Sequence, residues 1–355
     1  MTSHSTFEEA IRKSELISAD LLNNPQKYRV LTGDRPTGAL HIGHYFGTLA
    51  NRVRLQNMGL ETFIVIADYQ VLTDRDSVGQ IQSNVSEILL DYLAAGLDPF
   101  KQKTVIFAHS AIPELNQLLL PFLTLVSVRE LERNPTVKDE IRAAGINIMN
   151  AAMLTYPVHQ AADILFCKGN LVPVGKDQLP HLELSRKIAR RFNERFKNIF
   201  PEPDALLSEA PTILGLDGSQ KMSKSRNNAI FLKATEDETA KLIKSAKTDA
   251  ERQITYEPEN RPEVANLLRL ISLCTGQTPI QIADQIGDQG SGKLKSLLTE
   301  SLNAYLAPMR QRRLEFAKDP NLVSKVLSIG NEGAREIGAK TLDEVREAMG
   351  MVYGL

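Results

Sequence analysis

Two histidines three residues apart, His41 and His44, stand behind the turn-rich segment Thr32-Gly-Asp-Arg-Pro-Thr-Gly38 and ahead of a helix-like stretch, Tyr45 to Met58. Imidazole N–H groups can donate to phosphate oxygens, and a helix start adds backbone N–H groups and the positive end of a dipole. Gly33, Gly38 and Gly43 remove side chains where such a ligand would approach. A helix start satisfied by its own backbone is the plainer alternative. A second polar segment, Lys221-Met222-Ser223-Lys224-Ser225, carries two ammonium groups and two hydroxyls. These can follow a polyphosphate as charge builds on it, although a solvated loop is the ordinary fate of Lys/Ser runs.

Asp163 lies among alanines and isoleucine in Gln160-Ala-Ala-Asp-Ile-Leu165. A carboxylate there is costly without a partner, which a ligand donor or a helix cap would supply. Gly175-Lys176-Asp177-Gln178 follows an apolar run and suits either a nucleoside contact or a turn. Arg186, Lys187, Arg190, Arg191, Arg195 and Lys197 share one helical stretch, and Arg310, Arg312 and Arg313 another. Both groups read as solvated helix faces or as contacts to RNA phosphates. His4, His109, His159 and His181 have no ligand spacing and are taken as structural. Cys167 and Cys274 form no metal pattern, which leaves a reduced, cytoplasmic chain as the simple reading.

The elements that must position these groups alternate. Strand-like runs at Tyr28–Thr32, Thr62–Ala67, Thr104–Phe107, Leu171–Val174 and Thr212–Leu216 are separated by helical patterns. Helices are expected at Tyr45–Met58, from Ser77, within Pro113–Arg142, at Asn147–Phe166 in two pieces around Tyr156-Pro157, and at Pro180–Lys197. Crossover spacing of this kind argues for an α/β fold with a parallel sheet and helices on both faces. Ligands then bind beyond the carboxyl ends of the strands, where Gly33–His44, Asp68–Gln70 and Gly175–Gln178 converge. After Phe231 strands vanish. Helices are expected at Glu238–Ala246, Pro262–Cys274, Pro279–Ile286, Lys293–Leu314, Asn321–Ser328 and Gly333–Met349, with Gly287–Gly292 the loosest linker. The expected division is 1–27 as an N-terminal helical extension, 28–231 as the α/β domain and 232–355 as a helical domain. Phe7, Ile11, Leu16, Leu21 and Leu22 form a loose apolar stripe on the extension, for docking or as a packed cap.

With 355 residues the chain can bury a large core in two domains. Its 42 basic and 43 acidic residues leave a net charge of −1, so any nucleic-acid contact must be local. No apolar run approaches the roughly 18 residues of a membrane-spanning helix, and Met1–Thr6 has no signal-peptide character.

His41-Ile-Gly-His44 and Lys221-Met-Ser-Lys-Ser225 resemble the two signatures, HIGH and KMSKS, of the class I aminoacyl-tRNA synthetases. Gly33-Asp-Arg-Pro-Thr-Gly38, Thr155-Tyr-Pro157 with Ala161-Ala-Asp-Ile-Leu165, Val172-Pro-Val-Gly175 with Asp177-Gln178, and Arg191-Phe-Asn193 resemble the bacterial tryptophanyl-tRNA synthetases in particular. The resemblance runs from about Arg29 to the C-terminus. It implies a Rossmann-type catalytic domain, a helical anticodon-binding domain and a homodimer. It also implies ATP with Mg²⁺, L-tryptophan and tRNA(Trp) as ligands, with no protein metal site. Asp163 would accept the indole N–H, with Tyr156, Gln160 and Gln70 beside it and Val172 and Val174 lining the slot. Arg35, Pro36, Thr37, Gly43 and His44 would hold ATP, with His41 at the phosphates. Gly175, Lys176 and Asp177 would touch the nucleoside. The loop of Lys221, Met222, Ser223, Lys224 and Ser225 would complete the ATP site, its two lysines stabilising the departing pyrophosphate.

The chain departs from the commonest bacterial pattern in having Asp68-Tyr69-Gln70 where that pattern has Asp-Gln-His, and Gln160 where many relatives have Met. It is similar in this to an auxiliary or second type of the family, and an altered response to tryptophan-mimicking inhibitors is expected from Gln70. Rival readings are a tyrosyl-tRNA synthetase, a small nucleotidyltransferase and a paralogue that binds tRNA without charging it. The Ala-Ala-Asp-Ile-Leu and Val-Pro-Val-Gly segments favour tryptophan, and the complete Lys-Met-Ser-Lys-Ser loop favours an active enzyme.

Overall fold

The computed structural model describes residues 3–73, 80–100, 103–144, 149–207, 213–218 and 220–354. Five parallel strands form one sheet: β1 (Arg29–Asp34), β2 (Glu61–Ile66), β3 (Thr104–Ala108), β4 (Leu171–Val174) and β5 (Asp204–Leu207), in the order β3-β2-β1-β4-β5. Thr62 to Ile66 of β2 are all buried, as a strand covered on both faces requires. From β1 the chain winds outward through β2 to β3, then returns to lay β4 against the other side of β1. The winding therefore reverses between β1 and β4, and a crevice opens at their carboxyl ends.

Helices α1 (Ser3–Asn23), α2 (Ala50–Asn57) and α3 (Ile81–Ala95) precede β3. The predicted start of α3 at Ser77 lies outside the described residues. Between β3 and β4 come three short turns of helix, at Pro113–Gln117, Leu119–Leu123 and Val128–Glu132, then α4 (Pro135–Ala144) and α5 (Ala151–Leu165). Helix α6 (Leu179–Arg195) joins β4 to β5. The rest is helical: α7 (Glu236–Lys244), α8 (Pro262–Thr275), α9 (Pro279–Ile286), α10 (Gly290–Phe316) and α11 (Leu322–Ala348).

Several sequence expectations are corrected. The fifth strand is Asp204–Leu207; the segment expected at Thr212–Leu216 contributes only an isolated bridge, Leu214 to Lys221, and Thr212 lies outside the described residues. Helix α5 runs unbroken through Pro157. One 27-residue helix, α11, replaces the two expected after Asn321. Its glycines do not end it because they serve contact: a Cβ on Gly330 would stand 1.8 Å from the Ile106 carbonyl oxygen, so the helix lies directly on β3. The stripe read on α1 is also wrong in part. Ile11, Leu16 and Leu22 are exposed; the helix buries Leu21 as expected, and with it Ile17, against Val30, Leu171 and Leu206. Its Ser14 hydroxyl accepts the Leu207 N–H at 2.9 Å, which fastens it to the β5 edge.

One apolar core is continuous from Leu40, Ile64 and Leu89 to Leu267, Leu298 and Leu306, so the helical region is packed against one face of the sheet region. Phe107, Phe122, Phe166 and Phe192 fill the core on the other face.

Candidate active site

The floor of the crevice is the carboxyl end of β1. A Cβ on Gly33 would lie 2.2 Å from the Val65 carbonyl oxygen, so only glycine lets β1 approach β2 there. Arg52 of α2 donates to Asp34 at 2.5 Å, to the Thr32 hydroxyl at 2.9 Å and to the Gly33 carbonyl at 3.0 Å, while the Tyr92 hydroxyl donates to Asp34 at 2.5 Å. Burial opposes the Asp34 charge, but the Arg52 guanidinium outweighs it and holds the carboxyl below its ordinary range. This network fixes the strand end from which the Arg35–Leu40 loop departs. The sequence reading missed Asp34, Arg52 and Tyr92, because no spacing pattern joins them.

Beyond that loop the His41 and His44 rings lie 3.7 Å apart, and the His41 backbone N–H donates to His44 Nδ1 at 3.2 Å. Burial lowers His41 to about 3, helped by His44, Lys224 and Lys221. It lowers His44 to about 4, helped by Lys224 and Lys221 against the opposing pull of Asp34. Both rings are therefore neutral donors near neutral pH rather than cations. His44 lines the crevice; His41 does not, and its buried Nδ1 has no hydrogen-bond partner.

The second signature is tied to the first. Ile42 N–H donates to the Ile230 carbonyl and Leu232 N–H to the Leu40 carbonyl, both at 2.9 Å. Lys224 Nζ donates to the Gly38 carbonyl at 2.7 Å and reaches the Thr37 hydroxyl at 3.3 Å. Lys221 is exposed, and the Ser223 backbone N–H donates to Asn228 at 2.8 Å. Met222 is corrected: the residue is 3% exposed and belongs to the core, and its backbone N–H donates to the Ile213 carbonyl at 3.0 Å. Gly43 leaves room for this packing, since a Cβ there would stand 3.0 Å from the His41 ring and 3.4 Å from Met222. Of Ser225 only the backbone is described. Asn266 of α8 braces the loop by accepting the Leu214 N–H at 3.0 Å and donating to its carbonyl at 3.1 Å.

The crevice encloses a cavity of about 430 Å³. Arg35, Thr37, His44 and Gly175 line it together with Gln70, Tyr156, Gln160, Asp163, Val172 and Val174. Tyr156, Gln160 and Asp163 present one face of α5 by their i, i+4, i+7 spacing. Pro36, Gly43, Lys176, Asp177, Lys221, Met222, Ser223 and Lys224 stand outside the lining. Lys176 lies over the Phe7 ring of α1 at 4.4 Å, and the Asp177 carbonyl accepts the Thr136 hydroxyl at 2.8 Å.

Three histidines read as merely structural prove to adjoin the site. His181 lines the cavity, shares a hydrogen bond with the Tyr156 hydroxyl at 3.1 Å, and is lowered to about 4 by burial. His109 Nε2 meets Asp163 Oδ1 at 2.5 Å, both side chains being buried. His159, one turn before Asp163, shares a hydrogen bond with Asn116 at 2.7 Å; burial lowers its pKa, and its ring lies 4.6 Å from that of His109. His109, His159 and Asp163 each bring a possible metal-ligand atom within 4.8 Å of one another. Their positions at a strand end and one helical turn apart offered no recognisable motif.

The basic stretches are corrected too. Arg186 pairs with Asp204, Arg190 with Glu202 and Arg191 with Glu130. Arg312 donates to the Ala94 carbonyl at 2.7 Å, and Arg313 to Asp91 and Glu87, both at 2.7 Å. These arginines join elements of the fold, while Lys187, Arg195 and Lys197 are exposed, as on a solvated helix face.

A family model described as tRNA synthetases class I (W and Y) matches residues 23–307. The chain is 45% identical over 340 residues to a tryptophan–tRNA ligase of Streptococcus agalactiae, covering 91% of this chain and 98% of that one. It is 44% identical over 333 residues to one of Clostridium longisporum, covering 91% and 97%. A tryptophanyl-tRNA synthetase from Campylobacter jejuni, solved with ADP and tryptophan, superimposes with a TM-score of 0.78 at 31% identity over 91% of this chain and 99% of that one. A tyrosyl-tRNA synthetase from Archaeoglobus fulgidus shares the fold, with a TM-score of 0.64 at 22% identity over 81% and 90%. Matched along nearly its whole length by relatives of one kind, the chain belongs to the class I tRNA synthetases of the tryptophan and tyrosine group, on the side of the tryptophan–tRNA ligases.

Proposed function

We propose that the chain joins L-tryptophan to ATP and then to tRNA(Trp), as a tryptophan–tRNA ligase. The observation that carries this is a single cavity lined both by the HIGH-segment loop with His44 and by the buried acceptor Asp163. The tryptophan carboxylate attacks the α-phosphorus of ATP. An oxygen–phosphorus bond forms, the bond to the bridging oxygen breaks, and pyrophosphate leaves with the electron pair. A terminal ribose hydroxyl of the tRNA then attacks the carbonyl of the adenylate and expels AMP. No covalent enzyme intermediate is needed; positioning and charge stabilisation suffice.

In this account Asp163 accepts the indole N–H between Val172, Val174, Tyr156 and Gln160, with Gln70 beside them. Arg35, Pro36, Thr37, Gly43 and His44 hold the nucleotide, and His41 backs His44 and orients it. Gly175, Lys176 and Asp177 form the loop at the nucleoside. Lys221 and Lys224, released from its contact with Gly38, meet the β- and γ-phosphates. The carboxylates lining the cavity are Asp34 and Asp163, each already hydrogen-bonded. That donor set suits Mg²⁺ carried on the ATP oxygens better than a cage of protein ligands.

The division into 28–231 for catalysis and 232–355 for the anticodon, with 1–27 as an added helix, is part of the same reading. So are a cytoplasmic location and a homodimer. No described helix is long and apolar enough to cross a membrane. Exposed Tyr69 and Leu72, which line a second cavity, support the dimer. Charging of tRNA(Trp) with labelled tryptophan tests the second step. Charged tRNA that is lost on removing Asp163 supports the proposal, and tRNA binding with no charging by the intact protein would sink it.

A further inference from the structure

We infer that His109 is a specificity-determining positioning residue: it pins one oxygen of Asp163 so that the other is left to demand a hydrogen-bond donor from the amino-acid side chain. The inference rests on the assignment of Asp163 to the indole N–H. Asp163 is 2% exposed and lines the cavity, whereas His109 is 0% exposed and lies behind it, so His109 acts through the carboxylate and not on the ligand. Its Nε2 stands 2.5 Å from Asp163 Oδ1. Among the described residues nothing bonds Asp163 Oδ2, and buried His109 Nδ1 has no hydrogen-bond partner.

The contact assigns the donor: proximity to a carboxylate oxygen places a proton on Nε2. His109 sits at the first residue past β3, at the start of a short 3-10 turn, with the Tyr69 ring stacked at 6.5 Å and the His159 ring at 4.6 Å. A rigid donor therefore sets the plane of the carboxylate, as a second partner orients a metal-bound side chain. Oδ2 is then an acceptor with a fixed direction. An isostere lacking the N–H leaves that acceptor buried and unpaired, the situation in which hydrogen-bonding sites discriminate most strongly.

The test compares tryptophan with 3-(3-benzothienyl)alanine, in which sulfur replaces the indole N–H, in ATP–pyrophosphate exchange. His109→Met, which has no donor, is expected to lower the kcat/KM ratio of the two substrates by about tenfold, with the KM for ATP unchanged. His109→Gln, which restores an N–H donor, is expected to recover most of the ratio. A merely structural role would depress both substrates alike and leave the ratio where it was, which would overturn the inference while leaving the function standing. Exchange by the intact protein with neither substrate would overturn both. Should His109→Met not fold, the ¹⁵N-histidine spectrum of the unaltered protein decides. An Nε2–H tautomer for His109 supports the inference and an Nδ1–H tautomer overturns it. One zinc ion retained per chain and lost with His109→Gln would also overturn it, because the histidine would then be a metal ligand.

Discussion

Arg313 of α10 donates its Nε–H to Asp91 of α3 at 2.7 Å, and the other oxygen of Asp91 accepts the Leu40 backbone N–H at 2.7 Å. A side chain in the helical region thus reaches, through one buried carboxylate, the backbone just before the HIGH segment. Asp91 is fully buried; burial pushes its pKa up, while the Leu40 N–H and Arg313 oppose that. Removing Arg313 would strand this carboxylate.

Arg313→Ala is expected to cost about 3–5 kcal/mol in urea unfolding, as when one partner of a buried pair is deleted. Adding Asp91→Leu should recover part of that loss, because both charges are then gone. Strictly additive losses would show that the two residues are not coupled.

Lys224 rests on the Gly38 carbonyl and on the account leaves it to meet the developing pyrophosphate charge. Lys224→Ala should lower the rate of adenylate formation by about 10²–10³-fold, the range for losing one preorganised donor. Rapid-quench measurement should find the tryptophan Kd nearly unchanged. A change confined to tryptophan binding would contradict this role.

Glycine substitutions separate close approach from mere flexibility. Gly33→Ala would push a Cβ into the Val65 carbonyl, a backbone atom that cannot turn aside, and should destabilise by about 1–3 kcal/mol. At Gly47 nothing among the described residues lies within 4 Å of a Cβ position, so Gly47→Ala within its helical turn should be neutral or gain up to about 1 kcal/mol. Thermal melts of the two variants check the contrast.

His41, His44 and His181 are all lowered by burial, to about 3, 4 and 4. Unfolded histidine titrates near 6.5, so below that pH the unfolded chain binds protons that the folded chain refuses. Stability is therefore expected to be level above about pH 6.5 and to fall toward pH 4, by up to about 1.4 kcal/mol per pH unit for each histidine. A His181→Asn variant should fall less steeply in pH-dependent urea titrations. An unchanged slope would mean that His181 is not part of the effect.

Phe7 under Lys176 links α1 to the loop at the end of β4. Phe7→Ala is expected to raise the KM for ATP about 2–5-fold, the equivalent of one cation–π contact, without changing the KM for tryptophan. An unaltered ATP dependence would reduce α1 to a cap on the β5 edge.

Much of this architecture is legible in the residues. The apolar run Thr62–Ala67 announces a doubly covered strand, and β4 begins and ends where its pattern does. Strand β5 escaped because it has four residues, begins with an aspartate and pairs only with β4. Gly330 fell in a gap between two expected helices, since contact with a strand more than two hundred residues earlier does not register in local pattern. Arg312 and Arg313 misled for the same reason: charge identifies a cation but not its partner. At the site, Asp163 was visible as a buried acid in an apolar helix. His109 was not, because its meaning lies wholly in where the β3 end meets α5.

The central claim is that one cavity activates tryptophan. Amino-acid-dependent ATP–pyrophosphate exchange tests it most directly, with tryptophan and tyrosine assayed separately in Mg²⁺ buffer and Asp163→Ala run alongside. The account predicts exchange with tryptophan, none with tyrosine, and loss of the tryptophan signal in the variant. Exchange with tyrosine, or tryptophan exchange indifferent to Asp163, would contradict it.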